Sequence, residues 1–194
     1  MVSGAVMRIV LFTCLISLTG CELFDTRDPE DPEGARGTWE VPISPEDVLT
    51  NISLAIFERN AANYMRSFPQ DSFEFIADPS VLQVQPSLAE WDRANEQSHI
   101  NSLFGEGVLP RDSIAFVVFS AIEQTLLADT AHITAHYELT AQVAIAGAPG
   151  PMAGEAQFSL KIGDQGYWEI RRWSDRRTDE PASWSELKAL VQSR

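Results

Sequence analysis

The sequence predicts an α+β fold, with N-terminal helices packed on a curved antiparallel sheet and a short C-terminal helix. Three observations carry this. Apolar residues recur at helical spacing between Ser44 and Gly105, they alternate with polar residues from Asp112 onward, and a capped stretch after Ser183 returns to the helical period. Helices first and an antiparallel meander after them is an α+β order of elements.

The chain opens with Arg8 and the uncharged run "IVLFTCLISL", about ten apolar residues and too short to span a bilayer as a permanent helix. Residues 1–20 therefore read as a removable secretory signal. It ends in "LTGC", residues 18–21, which resembles the lipobox of bacterial lipoproteins. The resemblance implies lipidation of the Cys21 sulfur, cleavage after Gly20 and acylation of the new amino terminus with a fatty chain such as palmitate. Small residues at 19 and 20 let an extended chain enter a peptidase cleft, and the thiol is the nucleophile. An ordinary thiol in the flank of a plain signal peptide is the alternative. Cys14 lies in the segment to be removed, so the mature chain would have no disulfide and would rely on its core. Two or more acyl chains give stable anchoring without a membrane span. Glu22, where an Asp would favour the inner membrane in enteric lipoproteins, points to the outer membrane if the host has one.

Loss of residues 1–20 leaves 13 basic against 28 acidic residues. So acidic a surface repels nucleic acid and anionic headgroups, whose binding draws on Lys and Arg, and nucleic acid is excluded as a partner. Six of the acids, with two Pro and two Gly, fall in "CELFDTRDPEDPEGARGT". Residues 21–38 bury too little to order themselves and read as an acidic tether, leaving residues 39–194 as a single domain.

Within that domain, Ser44, Pro45 and Asp47 form a helix start, and Val48, Ile52, Ala55 or Ile56, Tyr64 and Phe68 mark one long helix or two broken near Arg59 and Asn60. A short strand follows at Phe73 to Ile76, ended by Pro79. Ser87 with Glu90 predicts a capping box for a second helix that runs to Gly105. "SIAFVVFSAIEQTLL" is apolar on both faces, the pattern of a central strand. "AHITAHYELTAQVAI" alternates, with Ile133, Ala135, Tyr137, Leu139, Ala141, Val143 and Ile145 on one face. "GEAQFSLKI" places Ala156, Phe158, Leu160 and Ile162 together, and "GDQG" turns the chain into "YWEIRRWSD". Simple alternation there puts Trp168, Ile170 and Arg172 on one face and Tyr167, Glu169, Arg171 and Trp173 on the other. The last helix starts at Ser183 with Glu186 as its box and buries Trp184, Leu187 and Leu190 or Val191.

A long helix, a short strand ending in "ADP", a second helix and hairpinned strands finishing in "GYWEIRRWSD" resemble the nuclear transport factor 2-like fold over Ser44 to Asp175. The resemblance implies a curved sheet wrapped around helices into a cone with an apolar pocket. Trp91, His99, Tyr137, Phe158 and Trp168 are the candidate pocket-lining residues. Families with this fold include isomerases, cyclases and dehydratases as well as proteins that only bind. In ketosteroid isomerase-like members the general base is an Asp in a "DP" pair, and Asp78 stands at the matching place. The hydroxyl aromatic expected near Ile52 and the acid expected in "IAFVVFSAI" are both missing, so the catalytic set is incomplete. Asp78 also suits a turn or cap.

His132 and His136, four apart on a strand, lie about 13 Å apart and cannot share an ion, so no metal and no cofactor is expected. His99 reads as a hydrogen-bonded helix residue on the side of Trp91 and Leu103, or as a pocket residue. The arginines of "YWEIRRWSDRR" should meet Glu138, Glu155 or other surface acids. The function expected first is a lipid-anchored envelope protein with a non-catalytic domain for a small apolar ligand or an envelope protein. The alternatives are a pocket enzyme of isomerase or dehydratase type using Asp78 or His99, and a structural module forming a homodimer.

Overall fold

The computed structural model describes residues 37–178 and 181–193. Cys21, the signal segment and nearly all of the tether lie outside the described residues. Helix α1 spans Pro45–Phe57, and its Ser44 cap and Asp47 side chain exchange hydrogen bonds in a capping box. It stops where Arg59 takes φ 54°, a left-handed conformation uncommon for a residue with a side chain. The Arg59 guanidinium repays that strain by donating to the carbonyls of Pro110 and Ser113, which ties down the loop ahead of the sheet. Helix α2, Ala61–Met65, follows from its Asn60 cap.

Strand β1 is Glu74–Ile76. Pro79 does not merely end it: Asp78 caps a further helix, α3, over Pro79–Val84, with the proline at the first helical turn, where its missing N–H costs nothing. The expected capping box at Ser87 and Glu90 does not form. Pro86–Leu88 make one 3₁₀ turn, Trp91–Asp92 form a two-residue strand β2, and helix α4 runs over Arg93–Leu103 from an Asp92 and Asn95 box. Trp91 is thus a strand residue, held there by pairing with Phe75.

Strands β3 (Ala115–Leu127), β4 (Thr130–Ala141), β5 (Met152–Ile162) and β6 (Trp168–Arg176) complete a six-stranded curved sheet in the order β2-β1-β6-β5-β4-β3. The β3-β4-β5-β6 meander is antiparallel, whereas β1 joins β6 in parallel. Strand β3 is therefore an edge and not the centre. Its double-sided apolar pattern arises because Ile114, Phe116, Val118, Ile122, Leu126 and Leu127 stay exposed. A bulge after Ser120, with Ala121 at φ 47°, bends this edge, as bulges commonly do.

Strand β4 keeps the alternation from Ile133 to Ala141, but Val143 and Ile145 lie past its end, only partly buried. A second bulge corrects the reading of β6. Leu160 pairs with Ile170 and Ser159 with Arg172, which leaves Arg171 as the extra residue and returns Trp173 to the core side with Trp168 and Ile170. Trp173 packs against Phe75 at 5.3 Å and Phe158 at 5.4 Å between ring centroids. The arginines of this strand meet acids other than Glu138 and Glu155: exposed Arg172 pairs with Glu74 at 2.8 Å and half-buried Arg171 with Glu169 at 3.2 Å.

Helix α5, Trp184–Gln192, returns onto the sheet with the expected Ser183 and Glu186 box. It buries Trp184, Leu187 and Val191, with Trp184 edge-on to Trp173 at 4.6 Å. Glycine is required at 154, where an added Cβ would come within 2.5 Å of both the Arg176 carbonyl and the Tyr137 hydroxyl.

Candidate functional site

The two helices that flank the interior each carry one charge on an otherwise apolar face. On α4, Glu96 stands one turn before Ile100 and two before Leu103; on α5, Lys188 stands among Trp184, Leu187 and Val191. Both side chains are fully buried, and Lys188 Nζ donates to Glu96 Oε1 at 2.6 Å and also to Oε2. The same carboxylate accepts the Tyr64 hydroxyl at 2.7 Å and the Trp91 indole N–H at 2.6 Å. Above Lys188 lie the rings of Phe75, Trp173 and Trp91, with centroids 4.5, 5.0 and 5.1 Å from Nζ. A buried ion pair survives its desolvation only when its remaining valences are met, and here both oxygens are. Burial pulls the Lys188 ammonium below the ordinary lysine range, with Glu96 opposing the shift, and burial together with Glu96 raises the Tyr64 hydroxyl well above its usual range.

A second network fastens the start of α5. The Asp175 carboxylate accepts the Tyr137 hydroxyl at 2.6 Å and the Ser185 backbone N–H at 2.8 Å, and Trp184 N–H donates to Tyr137. An anion at the first turn of a helix suits the partial positive charge there. Burial raises Asp175 above the usual carboxylate range despite hydrogen bonds from Ser185 and Tyr137, and the Tyr137 hydroxyl is raised far beyond its own by burial and then by Asp175.

Asp78 adjoins this network through its backbone, whose N–H donates to the Ser185 hydroxyl at 2.9 Å. Its carboxylate is spoken for. One oxygen accepts Ser80 N–H at 2.8 Å, the other Arg177 N–H at 2.9 Å. Burial would raise its pKa, but hydrogen bonds from the Ser80 hydroxyl and from the backbone of Arg177, Ser80 and Val81 outweigh it and hold the group below the usual carboxylate value. A carboxylate so held is a poor proton acceptor at neutral pH.

His99 lies elsewhere, on α4 beside a cavity of about 460 Å³ between α4, the loop after it and α5. Its ring meets Trp91 edge-on at 5.8 Å, and neither ring nitrogen has a hydrogen-bond partner among the described residues. Burial and the nearby Lys188 push its pKa well below the usual histidine range, so it is neutral at physiological pH.

Of the five residues expected to line a pocket, Trp91 and His99 border this cavity. Tyr137, Phe158 and Trp168 pack in the core: Tyr137 abuts Trp184 at 5.5 Å, Phe158 abuts Trp173, and Trp168 is closed over by the chain near Pro42. His132 contacts Ser159 across the exposed face of the sheet, and among the described residues no group of three His, Cys, Asp or Glu could hold a metal ion.

Glu96, Lys188, Tyr64 and Asp175 are the residues that sequence reading missed. The lone charges at apolar helical positions, Glu96 and Lys188, were the available signal. A further cavity of about 470 Å³ lies beside Trp39, Arg66 and Arg93, with the Arg66 guanidinium 3.5 Å above the Trp39 ring.

No family model and no curated protein matches the chain. Solved structures do resemble it. A nuclear transport factor 2-like protein from Cytophaga hutchinsonii aligns at TM-score 0.52 and 14% identity, over 69% of this chain and 94% of that one. A protein proposed to be a scytalone dehydratase from Novosphingobium aromaticivorans aligns at TM-score 0.54 and 14% identity, over 69% and 81%. A conserved protein from Planctomyces limnophilus aligns at TM-score 0.53 and 13% identity, over 66% and 89%. At such identities the likeness establishes the fold, which is nuclear transport factor 2-like.

The lowered Asp78 pKa has a consequence for stability. A carboxylate with a depressed folded-state pKa stabilises the fold above its unfolded value near 3.9, and this contribution is lost as pH falls through the lower folded value. Asp78→Asn keeps a capping oxygen but does not titrate. In urea unfolding the stability gap between wild type and Asp78→Asn should be constant above about pH 5 and shrink below about pH 4. A gap that holds its size down to pH 2 would contradict the assignment.

Proposed function

We propose that this protein is a lipid-anchored envelope protein whose nuclear transport factor 2-like domain binds a small, largely apolar ligand without transforming it. The observation that carries the binding half is the filled interior of the cone. Glu96 and Lys188 fill the space beneath the rings of Phe75, Trp91 and Trp173, and Trp184 packs edge-on against Trp173. The candidate base, Asp78, is committed to backbone N–H groups, and the hydroxyl aromatic near the interior, Tyr64, is committed to Glu96. For an apolar ligand the cavity between α4 and α5 suits better than the one beside Trp39, being of a size that small molecules use and walled by Trp91, Val108 and Val191, whereas Arg66, Arg93 and Glu169 line the other. The anchoring half rests on the "LTGC" motif directly after an apolar run, with an acidic spacer between Cys21 and the domain.

Each half has its own test. Cells fed labelled palmitate should incorporate it into the wild-type chain and not into Cys21→Ser; label retained by the variant rules out this anchor. Ser102 is exposed at the rim of the cavity, so Ser102→Trp should occupy the cavity without disturbing the core. Binding of the neutral dye N-phenyl-1-naphthylamine should weaken by about tenfold or more in that variant, the scale of one lost favourable contact surface. Unchanged dye affinity would place the ligand elsewhere.

A further inference from the structure

The cavity beside Trp39 is cationic in an acidic chain. The sequence has 28 acidic and 14 basic residues, yet the charged residues lining this cavity of about 470 Å³ are Arg66 and Arg93 against Glu169. Glu169 is itself engaged by Arg171, which lies outside the lining, at 3.2 Å, and Arg171 also stands 3.6 Å from Asp71. Burial, helped by Asp164 and Asp71, raises the Glu169 carboxyl above the usual range against the pull of Arg171 and Arg93. Two cations against one acid leave the lining with a surplus positive charge.

Arg66 is the residue that can offer this charge to a ligand. It is exposed, it caps the end of α2, and its Cζ stands 3.5 Å from the centre of the Trp39 ring. At that separation the guanidinium plane must lie along the ring, because an N–H aimed into the ring would need more room. The contact therefore fixes the guanidinium without consuming its in-plane donors. No oxygen of the described residues accepts from the Arg66 guanidinium, and no described carboxylate pairs with it. Arg93 is half-buried and reaches neutral oxygens at the limit of hydrogen bonding, Gln97 Oε1 at 3.4 Å and the Met65 carbonyl at 3.5 Å.

We propose that this cavity binds a small organic monocarboxylate, with its carboxylate on the Arg66 guanidinium and its apolar body against Trp39 and Tyr167, whose rings meet edge to face at 6.0 Å. A planar carboxylate accepts two parallel N–H bonds from one edge of a guanidinium. Its single negative charge matches the surplus of the lining, whereas the charge of a phosphate near neutral pH exceeds it. A bare ion would leave most of the cavity unfilled. This site shares no lining residue with the cavity between α4 and α5, and its ligand is a second one, beyond the apolar molecule proposed there.

The test titrates benzoate, benzyl alcohol, benzylammonium and inorganic phosphate into the full-length chain, with the Trp39 indole N–H followed by ¹⁵N NMR. Benzoate should shift that signal and bind about tenfold or more tightly than the other three, the scale of a charge-assisted hydrogen bond. Arg66→Gln, at an exposed position, should abolish the preference for benzoate over benzyl alcohol, while Ser102→Trp in the other cavity should leave it unchanged. Benzoate affinity that survives Arg66→Gln, or that falls in Ser102→Trp, overturns the site. Tightest binding of benzylammonium overturns the anionic ligand and shows that Glu169 governs the cavity. Phosphate binding as tight as benzoate overturns the need for an apolar body. Absence of benzoate binding overturns the site outright, and binding that appears only after Glu22, Asp25, Asp28, Glu30, Asp31 and Glu33 are changed to amides overturns a free ligand in favour of the chain's own acidic segment.

Discussion

The contact on which the rest of the structure depends is the buried pair of Glu96 and Lys188. Each charge alone would be prohibitive in an apolar interior, so neither helix can take its place without the other. This fixes the register of α5 against α4 in a way that Leu187 and Val191 alone would not, since apolar contacts tolerate sliding and a two-oxygen ammonium contact does not. Tyr64 and Trp91 extend the same constraint to α2 and β2 through hydrogen bonds to the one carboxylate. Four elements, of which only β2 and α4 adjoin in sequence, are thereby bound to one group.

That constraint also decides what the interior can do. A cone of this fold could hold a ligand between sheet and helices, but here an ammonium under three aromatic rings fills the space. The Asp175, Tyr137 and Ser185 network holds the start of α5 in place and so keeps Lys188 inserted. Asp78 is drawn into the same junction as a cap. The Asp78 carboxylate, the base that the resemblance suggested, is held by the backbone N–H groups of Ser80 and Arg177, and one cavity lies at the seam between α4 and α5, where His99 has no hydrogen-bond partner among the described residues.

Local signals made much of the fold legible in the sequence. The Ser44 and Ser183 caps, the break at Arg59 and the alternation of β4 and β5 follow from residues within a few positions of one another. What escaped depended on distant partners. The two-residue strand at Trp91 exists because Phe75 pairs with it, and the bulge at Arg171 because β5 sets a register that simple alternation ignores. The apolar pattern of β3 gave no sign of which face or edge would be left uncovered. At the site, the resemblance led to Trp91 and His99 as pocket residues, although Trp91 stands on a strand and not on the helix of His99, while Glu96 and Lys188, 92 residues apart, could be paired only by folding the chain.

The chain contains two lysines, Lys161 and Lys188, which makes the central claim directly measurable. Lys161 is half exposed and Lys188 is fully buried. Side-chain ¹⁵N NMR on lysine-labelled protein should give two separate Nζ signals. The account predicts that one exchanges rapidly with water, while the other exchanges slowly and shows through-space contacts to the ring protons of Phe75, Trp91 and Trp173. Two rapidly exchanging amines that titrate together near the ordinary lysine value, without ring contacts, would show that the interior is open and that the pair does not hold the fold.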